Sequence, residues 1–248
     1  MQNLAHDPPG RQTPRPVRPA RATLAAWVAL MAGVVGLFGV VLGITFASGE
    51  WLATAERPDG STAFDRSVTS WVVDHRAAGA TFVARVFSAV GSEKALVPVV
   101  ALVALALIRQ GGWRSLGLLG VAWGGAILLY SLAKHAVGRP RPPADLWLMR
   151  VGGKAFPSGH AVQSLSTFVV LAVIATMSVR PSHRVLWTAG ALLLTTGVGL
   201  SRIYVGVHWA TDVIAGWGAA ALWVTALVWL FDRVWPLPGR EQRLPSGA

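Results

Sequence analysis

Residues 22–49 contain no charged side chain. Roughly 20 apolar residues suffice for a helix to cross the hydrocarbon core of a bilayer, so this run alone removes most soluble folds from consideration. Further apolar runs lie at about 86–108, 115–133, 161–179, 185–200 and 213–231. They are long and continuous rather than alternating with helical or strand period, as they would with one wet face. Only 13% of residues are charged, against about 25% in an ordinary soluble domain. An all-α, polytopic bundle of six transmembrane helices is expected. The run at 86–108 is the weakest of the six, because Glu93, Lys94 and Pro98 interrupt it. The first run is too long for the core of a signal peptide and no clear cleavage site follows it, so it is expected to stay as a span.

A net charge of +11 raises the possibility of nucleic-acid binding, but its distribution argues against that. Arg11, Arg15, Arg18 and Arg21 lie in a Pro-rich tail, and most other cations occupy short segments between apolar runs, where membrane orientation signals lie. Residues 1–21 are expected to be a disordered basic tail, residues 22–235 one membrane domain, and residues 236–248 a second tail. With six spans both termini share a side. The tail arginines, Arg109 with Arg114, Arg180 with Arg184, and Arg233 with Arg240 and Arg243 all fall on that side, which the positive-inside rule makes cytoplasmic. Residues 50–85 carry Glu50, Glu56, Asp59, Asp65 and Asp74, with Phe64, Val68, Trp71 and Val72 at helical spacing. An outer loop with an amphipathic segment at the interface is expected there. The chain has no cysteine, which excludes disulfides and thiolate chemistry and leaves the redox compartment open.

The outer side also holds Lys134, Arg139, Arg141, Arg150, Lys154 and Arg202, which the positive-inside rule does not explain unless these cations have a task. Three clusters carry the chemistry. The first runs from Lys134 to Arg141-Pro142, the second is Pro157-Ser158-Gly159-His160, and the third is Ser201-Arg202 with His208 and Asp212. Ionisable groups at membrane depth are costly and therefore functional candidates. Lys134, Arg141 and Arg202 together suit a phosphate dianion, although each alone also fits an interfacial anchor reaching to lipid headgroups. Ser158 can cap a helix start whose free N–H groups and positive dipole end face an anion, and Gly159 permits close backbone approach. An ordinary capped helix is the alternative. His208 and Asp212, four residues apart, share a helix face. The carboxylate can fix the imidazole tautomer and leave the other nitrogen free to attack; a structural hydrogen bond or half a metal site would use the same pair. No cluster of carboxylates accompanies it, which weighs against the metal half-site, and no cofactor is expected.

The order Lys-x6-Arg-Pro, Pro-Ser-Gly-His and Ser-Arg-x5-His-x3-Asp resembles the type 2 phosphatidic acid phosphatase (PAP2) superfamily, which includes bacterial acid phosphatases and vanadium haloperoxidases. The resemblance covers roughly residues 86–231 without a departure from the three motifs. It implies a helical bundle of the PAP2/vanadium haloperoxidase type and a metal-independent, two-step phosphoryl transfer. In that scheme His208 is the nucleophile, Asp212 orients it, and His160 protonates the leaving oxygen. Lys134, Arg141, Ser158, Gly159 and Arg202 neutralise the phosphate oxygens. The expected partner is a lipid phosphate reached from the bilayer: phosphatidic acid, phosphatidylglycerol phosphate or undecaprenyl diphosphate.

A lipid-linked phosphotransferase is an alternative, since an alcohol can intercept a phosphohistidine. A non-catalytic anionic-lipid-binding or transport protein is another, but carriers put polar groups near the midplane, whereas these spans carry ionisable residues mainly at their ends. Haloperoxidase chemistry needs soluble halide and peroxide and no lipid access. Arg139 is expected to face solvent, His135 to be structural or interfacial, and most of the 12 tryptophans to serve interfacial belts.

Overall fold

The computed structural model describes residues 24–55, 58–178 and 181–234; the two tails, with Arg180, Arg240 and Arg243, lie outside the described residues. The elements are α1 (Leu24–Ala55), α2 (Ala63–Asp74), α3 (Ala78–Val90), α4 (Glu93–Arg109), α5 (Trp113–Val137), a 3₁₀ turn at Ala144–Leu146, α6 (Gly159–Ser178), α7 (Pro181–Tyr204) and α8 (Ala210–Val234). No strand occurs among the described residues. Lipid offers the backbone no hydrogen-bond partner, so each spanning segment closes its own ladder as a helix.

Among the described residues five helices are long and apolar enough to cross a membrane, at Val28–Thr54, Trp113–Val137, Gly159–Met177, His183–Tyr204 and Ala210–Val234. The sixth span differs from expectation. No single helix supplies it: α3 and α4 are long and apolar enough only together, as a pair bent by 45° across Gly91 and Ser92, the geometry of a broken span or of a re-entrant loop. The expected 86–108 run straddles this break, and α3 starts well before it. The interruption at Glu93 and Lys94 is thus a new helix start: Ser92 is the N-cap residue and Glu93 stands in the first turn, where an acid favours the dipole.

Without a hydrophobic drive between helices in lipid, close packing through small residues holds such bundles. The core joins α1, α5, α6 and α8 around Leu118, Leu119, Ala122, Ala126, Val170 and Trp223. The Trp223 indole lies over Gly125, donates to the Ala122 carbonyl at 3.1 Å, and meets Phe38 edge-on at 5.7 Å. Gly199 admits Trp217, and Gly197 admits Phe87. Val35, Leu102, Val185 and Leu186 remain exposed, as lipid-facing side chains do.

The 50–85 stretch comprises the end of α1, then α2, then the start of α3. In α2 a capping box pairs Thr62 with Asp65. Its apolar residues divide: Val68 and Val72 pack against the cluster of Ala161, Ile203, Ala210 and Val213, while Phe64 and Trp71 stay exposed. One end of the bundle therefore collects α2, the α3–α4 break, the end of α5, the start of α6, the end of α7 and the start of α8.

Candidate active site

Lys134 stands in the last turn of α5, which ends at Gly138 in the left-handed region (φ 68°). Its Nζ donates to the carbonyls of Lys154 at 2.7 Å and Ala155 at 3.2 Å. Arg141, on the loop after α5, donates to the carbonyls of Gly153 (2.9 Å), Gly152 (2.9 Å) and Val207 (2.6 Å). Its Nη1 also lies 3.1 Å from His208 Nε2. Burial pulls the Arg141 pKa below its ordinary value while the charge of Asp212 acts against that; a guanidinium stays protonated regardless. Arg202, buried near the end of α7, donates through Nη1 to the Ser88 hydroxyl and to Met149 Sδ at 3.4 Å. Its Nε is buried without a partner.

Ser158 is fully buried and its hydroxyl has no partner, while its backbone N–H donates to the Asp212 carbonyl at 3.0 Å. Gly159 opens α6 against the Tyr130 ring, which a Cβ would approach to 3.3 Å. His160 follows and lines the same cavity as Arg202 and His208. His208 precedes α8 rather than lying in it, and Asp212 stands in the first turn. The two nonetheless meet, His208 Nδ1 lying 3.4 Å from Asp212 Oδ2. The Trp209 N–H donates to the same oxygen at 2.9 Å. Nδ1 facing a carboxylate and Nε2 facing a guanidinium describe one neutral tautomer, with its lone pair on Nε2. Burial first, then the charges of Lys134, Arg141 and Arg202, hold the His208 pKa well below the ordinary 6.5.

Lys134, Arg141, Gly159, His160, Arg202 and His208 line one cavity of about 400 Å³. The three sequence clusters therefore meet, with Ser158 and Asp212 joined to each other and Asp212 to His208 just outside the lining. The same cavity is lined by Glu93, Lys94, Tyr130 and Gln163, none of which the motifs indicate. Gln163, one turn beyond His160 and 2% exposed, has a buried amide nitrogen without a partner. Glu93 accepts from the Tyr130 hydroxyl at 2.8 Å, which ties α4 to α5. His135 is exposed and bonds only within its own helix, to the Ser131 carbonyl at 2.7 Å.

Arg139 corrects the expectation. It does not face solvent: its side chain is 1% accessible and bridges Asp65 at 2.9 Å and Asp212 at 2.6 Å. An acidic partner 74 residues away outbids water for it, and the repeated Arg-Pro step gave no sign of that. Asp65, read as part of a wet loop, is likewise fully buried. Burial raises its pKa, but hydrogen bonds from Thr211 and Thr62 outweigh this and hold it below the ordinary carboxylate value. Among the described residues no group of three or more His, Cys, Asp or Glu is placed to hold a metal.

The profile of the PAP2 superfamily matches residues 115–236. An undecaprenyl-diphosphatase of Sulfolobus acidocaldarius is 31% identical over 162 residues, 63% of this chain and 72% of the relative. Phosphatidylglycerophosphatase B of Bacillus subtilis is 27% identical over 53% of this chain and 66% of its own length. A lipid A 1-phosphatase of Rhizobium johnstonii is 32% identical over 48% and 57%. The crystal structure of a transmembrane PAP2 type phosphatidylglycerolphosphate phosphatase from Bacillus subtilis superposes with a TM-score of 0.65, covering 81% of this chain and 96% of that one at 23% identity, which establishes a shared fold. A multi-pass helical bundle, the three motifs gathered at one cavity, and relatives matched over most of their length lead to one assignment: this chain belongs to the PAP2 superfamily.

Proposed function

We propose that this membrane protein is a lipid phosphate phosphatase working through a phosphohistidine on His208. The observation that carries the reading is the setting of His208 Nε2. Its ring is held by Asp212 on Nδ1, and its lone pair faces a cavity lined by Lys134, Arg141 and Arg202.

In the first step Nε2 attacks phosphorus, the bond from phosphorus to the lipid oxygen breaks, and His160 gives that oxygen its proton. The three cations, the Ser158 hydroxyl and the Gly159 N–H take up the charge on the phosphoryl oxygens. Most of the acceleration then comes from positioning and preorganised electrostatics. In the second step water attacks phosphorus, His160 takes a water proton, and the N–P bond breaks to release phosphate and free His208. The lipid character of the substrate rests on the spans and on the names of the relatives, which act on undecaprenyl diphosphate, phosphatidylglycerophosphate and lipid A. The outer face is assigned by the positive-inside rule: Arg109 ends α4, Arg114 begins α5 and Arg233 ends α8, all at the end of the bundle away from the cavity.

The test is phosphate release by the purified chain in detergent with excess chelator, from phosphatidic acid, phosphatidylglycerol phosphate and undecaprenyl diphosphate, with His208→Ala in parallel. Release that survives the chelator and vanishes in the variant is expected. Release that requires a divalent metal, or persists in the variant, would overturn the phosphohistidine.

A further inference from the structure

Arg139 lies outside the three motifs yet is among the most buried charges in the molecule. Its Nε donates to the Gly60 carbonyl at 3.0 Å, its Nη1 to Thr211 Oγ1 at 2.7 Å and Asp212 Oδ1 at 2.6 Å, and its Nη2 to Asp65 Oδ2 at 2.9 Å. Asp65 is gripped in turn by Thr62 and Thr211: the Thr211 N–H and hydroxyl donate to Oδ1 at 2.9 Å, and the Thr62 hydroxyl donates to Oδ2 at 2.8 Å. Asp212 thus has one oxygen on a clamped guanidinium and the other on the Trp209 N–H and His208. A carboxylate held at both oxygens cannot swing about its last torsion, and the neighbouring guanidinium favours its ionised form against the cost of burial.

We propose that Arg139, itself clamped by Asp65 of α2, is the positioning residue that fixes and charges the Asp212 carboxylate, extending the His208–Asp212 pair into a buried chain His208–Asp212–Arg139–Asp65. The inference rests on the phosphatase reading above. A purely structural ion pair would need only one carboxylate. Here the chain runs from the interfacial helix to the one oxygen-sharing carboxylate that orients His208, so the placement of α2 is coupled to the tautomer of the attacking ring. Arg139 does not line the cavity and acts through Asp212, which separates its expected effect from that of Arg141 and Arg202.

The experiment compares wild type, His208→Ala, Arg139→Gln, Arg139→Lys and Asp65→Asn as full chains in detergent, with kcat and KM measured on the three lipids named above. Gel filtration and melting temperature are taken alongside. Misplacing a reacting group by about 1 Å costs on the order of 100-fold, so Arg139→Gln should lose about that much kcat with KM within about threefold. Arg139→Lys, which restores the charge without the fork, should recover about tenfold, and Asp65→Asn should fall between. A loss confined to KM, a kcat within a few-fold of wild type, or a lysine variant no better than glutamine would each overturn the proposal. If Arg139→Gln does not fold, Asp65→Asn decides: reduced kcat at unchanged KM supports it and wild-type kcat overturns it. An inactive wild type, or an active His208→Ala, would sink the phosphatase reading and the inference with it.

Discussion

Replacing Gly206 with alanine should damage both stability and turnover. Gly206 has a φ of 77°, and a residue with a Cβ pays about 1–2 kcal/mol for left-handed backbone. The added carbon would also collide with the Leu146 carbonyl oxygen and sit 2.9 Å from Arg76 Nη2. That nitrogen donates to the carbonyls of Leu146 at 2.8 Å and Tyr204 at 3.0 Å, tying the α2–α3 connection to the loop that carries His208. Loosening one such half-buried bond adds about 1 kcal/mol. A total of about 2–3 kcal/mol corresponds to a fall in Tm of about 5–10 °C for a chain of this size. Because Gly206 is two residues from His208, turnover should drop by on the order of 100-fold as the ring shifts. The assay is thermal unfolding in detergent beside phosphate release, with Gly120→Ala as the reference. Nothing lies within 4 Å of a Cβ at Gly120, and helix-interior Gly→Ala is neutral or stabilising by up to about 1 kcal/mol. A Gly206→Ala protein that melts with this reference and turns over at the wild-type rate would refute the strain and the coupling together.

Trp223→Ala removes the indole bond to Ala122 and the ring that fills the space over Gly125; a loss of about 3–5 kcal/mol is expected, read by denaturant unfolding in detergent micelles. Acid should destabilise the fold, with two groups acting in the same sense. His208 has a depressed folded pKa, so below about 6.5 the unfolded chain binds a proton that the folded chain refuses. Asp65 is likewise depressed, so its contribution is present above 3.8 and is lost as pH falls through its folded value. Melting temperatures measured from pH 8 to pH 4 should therefore decline steadily once below about 6.5, and a flat profile would contradict the buried neutral imidazole. Excess chelator should leave phosphate release within experimental scatter of the untreated protein, and stimulation by added zinc or magnesium after chelation would count against a metal-free site.

The spans and the three clusters were legible because each depends on local sequence. A bilayer forbids unpaired charge over a fixed length, and the short spacings in the clusters put chemically matched residues on one helix end or one turn. The break at Gly91–Ser92 was visible only as an interruption, since Glu93 and Lys94 mark a polar point without saying that the chain turns there by 45°. Arg139 and Arg141 precede prolines in the same way, yet one is sealed between two aspartates and the other faces the cavity. What separates them is Asp65, and nothing within several residues of either arginine reports it. Ser88 and Met149 reach the site from another helix and a loop that no motif marks, while Gln163, one turn beyond His160, could have been found from helical spacing alone. Amphipathic spacing identified α2, but nothing in it set Asp65 apart from the other acids of the outer loop, since an isolated carboxylate is ordinarily a surface residue.

Lys134, Arg141 and Arg202 are each held by carbonyl oxygens, a hydroxyl or a thioether, whereas Arg139 takes the carboxylates. Neutral dipoles orient a cation without cancelling its charge, so these three like charges repel across a small chamber whose lining carboxylate, Glu93, is engaged by the Tyr130 hydroxyl. The chain therefore carries an electrostatic load that a bound oxyanion relieves, an instance of stability yielded to activity. Inorganic phosphate should accordingly act as a stabiliser, adding about 2.7 kcal/mol at a hundred times its dissociation constant. On the phosphatase reading, the same crowding makes released phosphate a competitor of the incoming lipid, so added phosphate should raise the apparent KM, and a KM unmoved by phosphate would refute it.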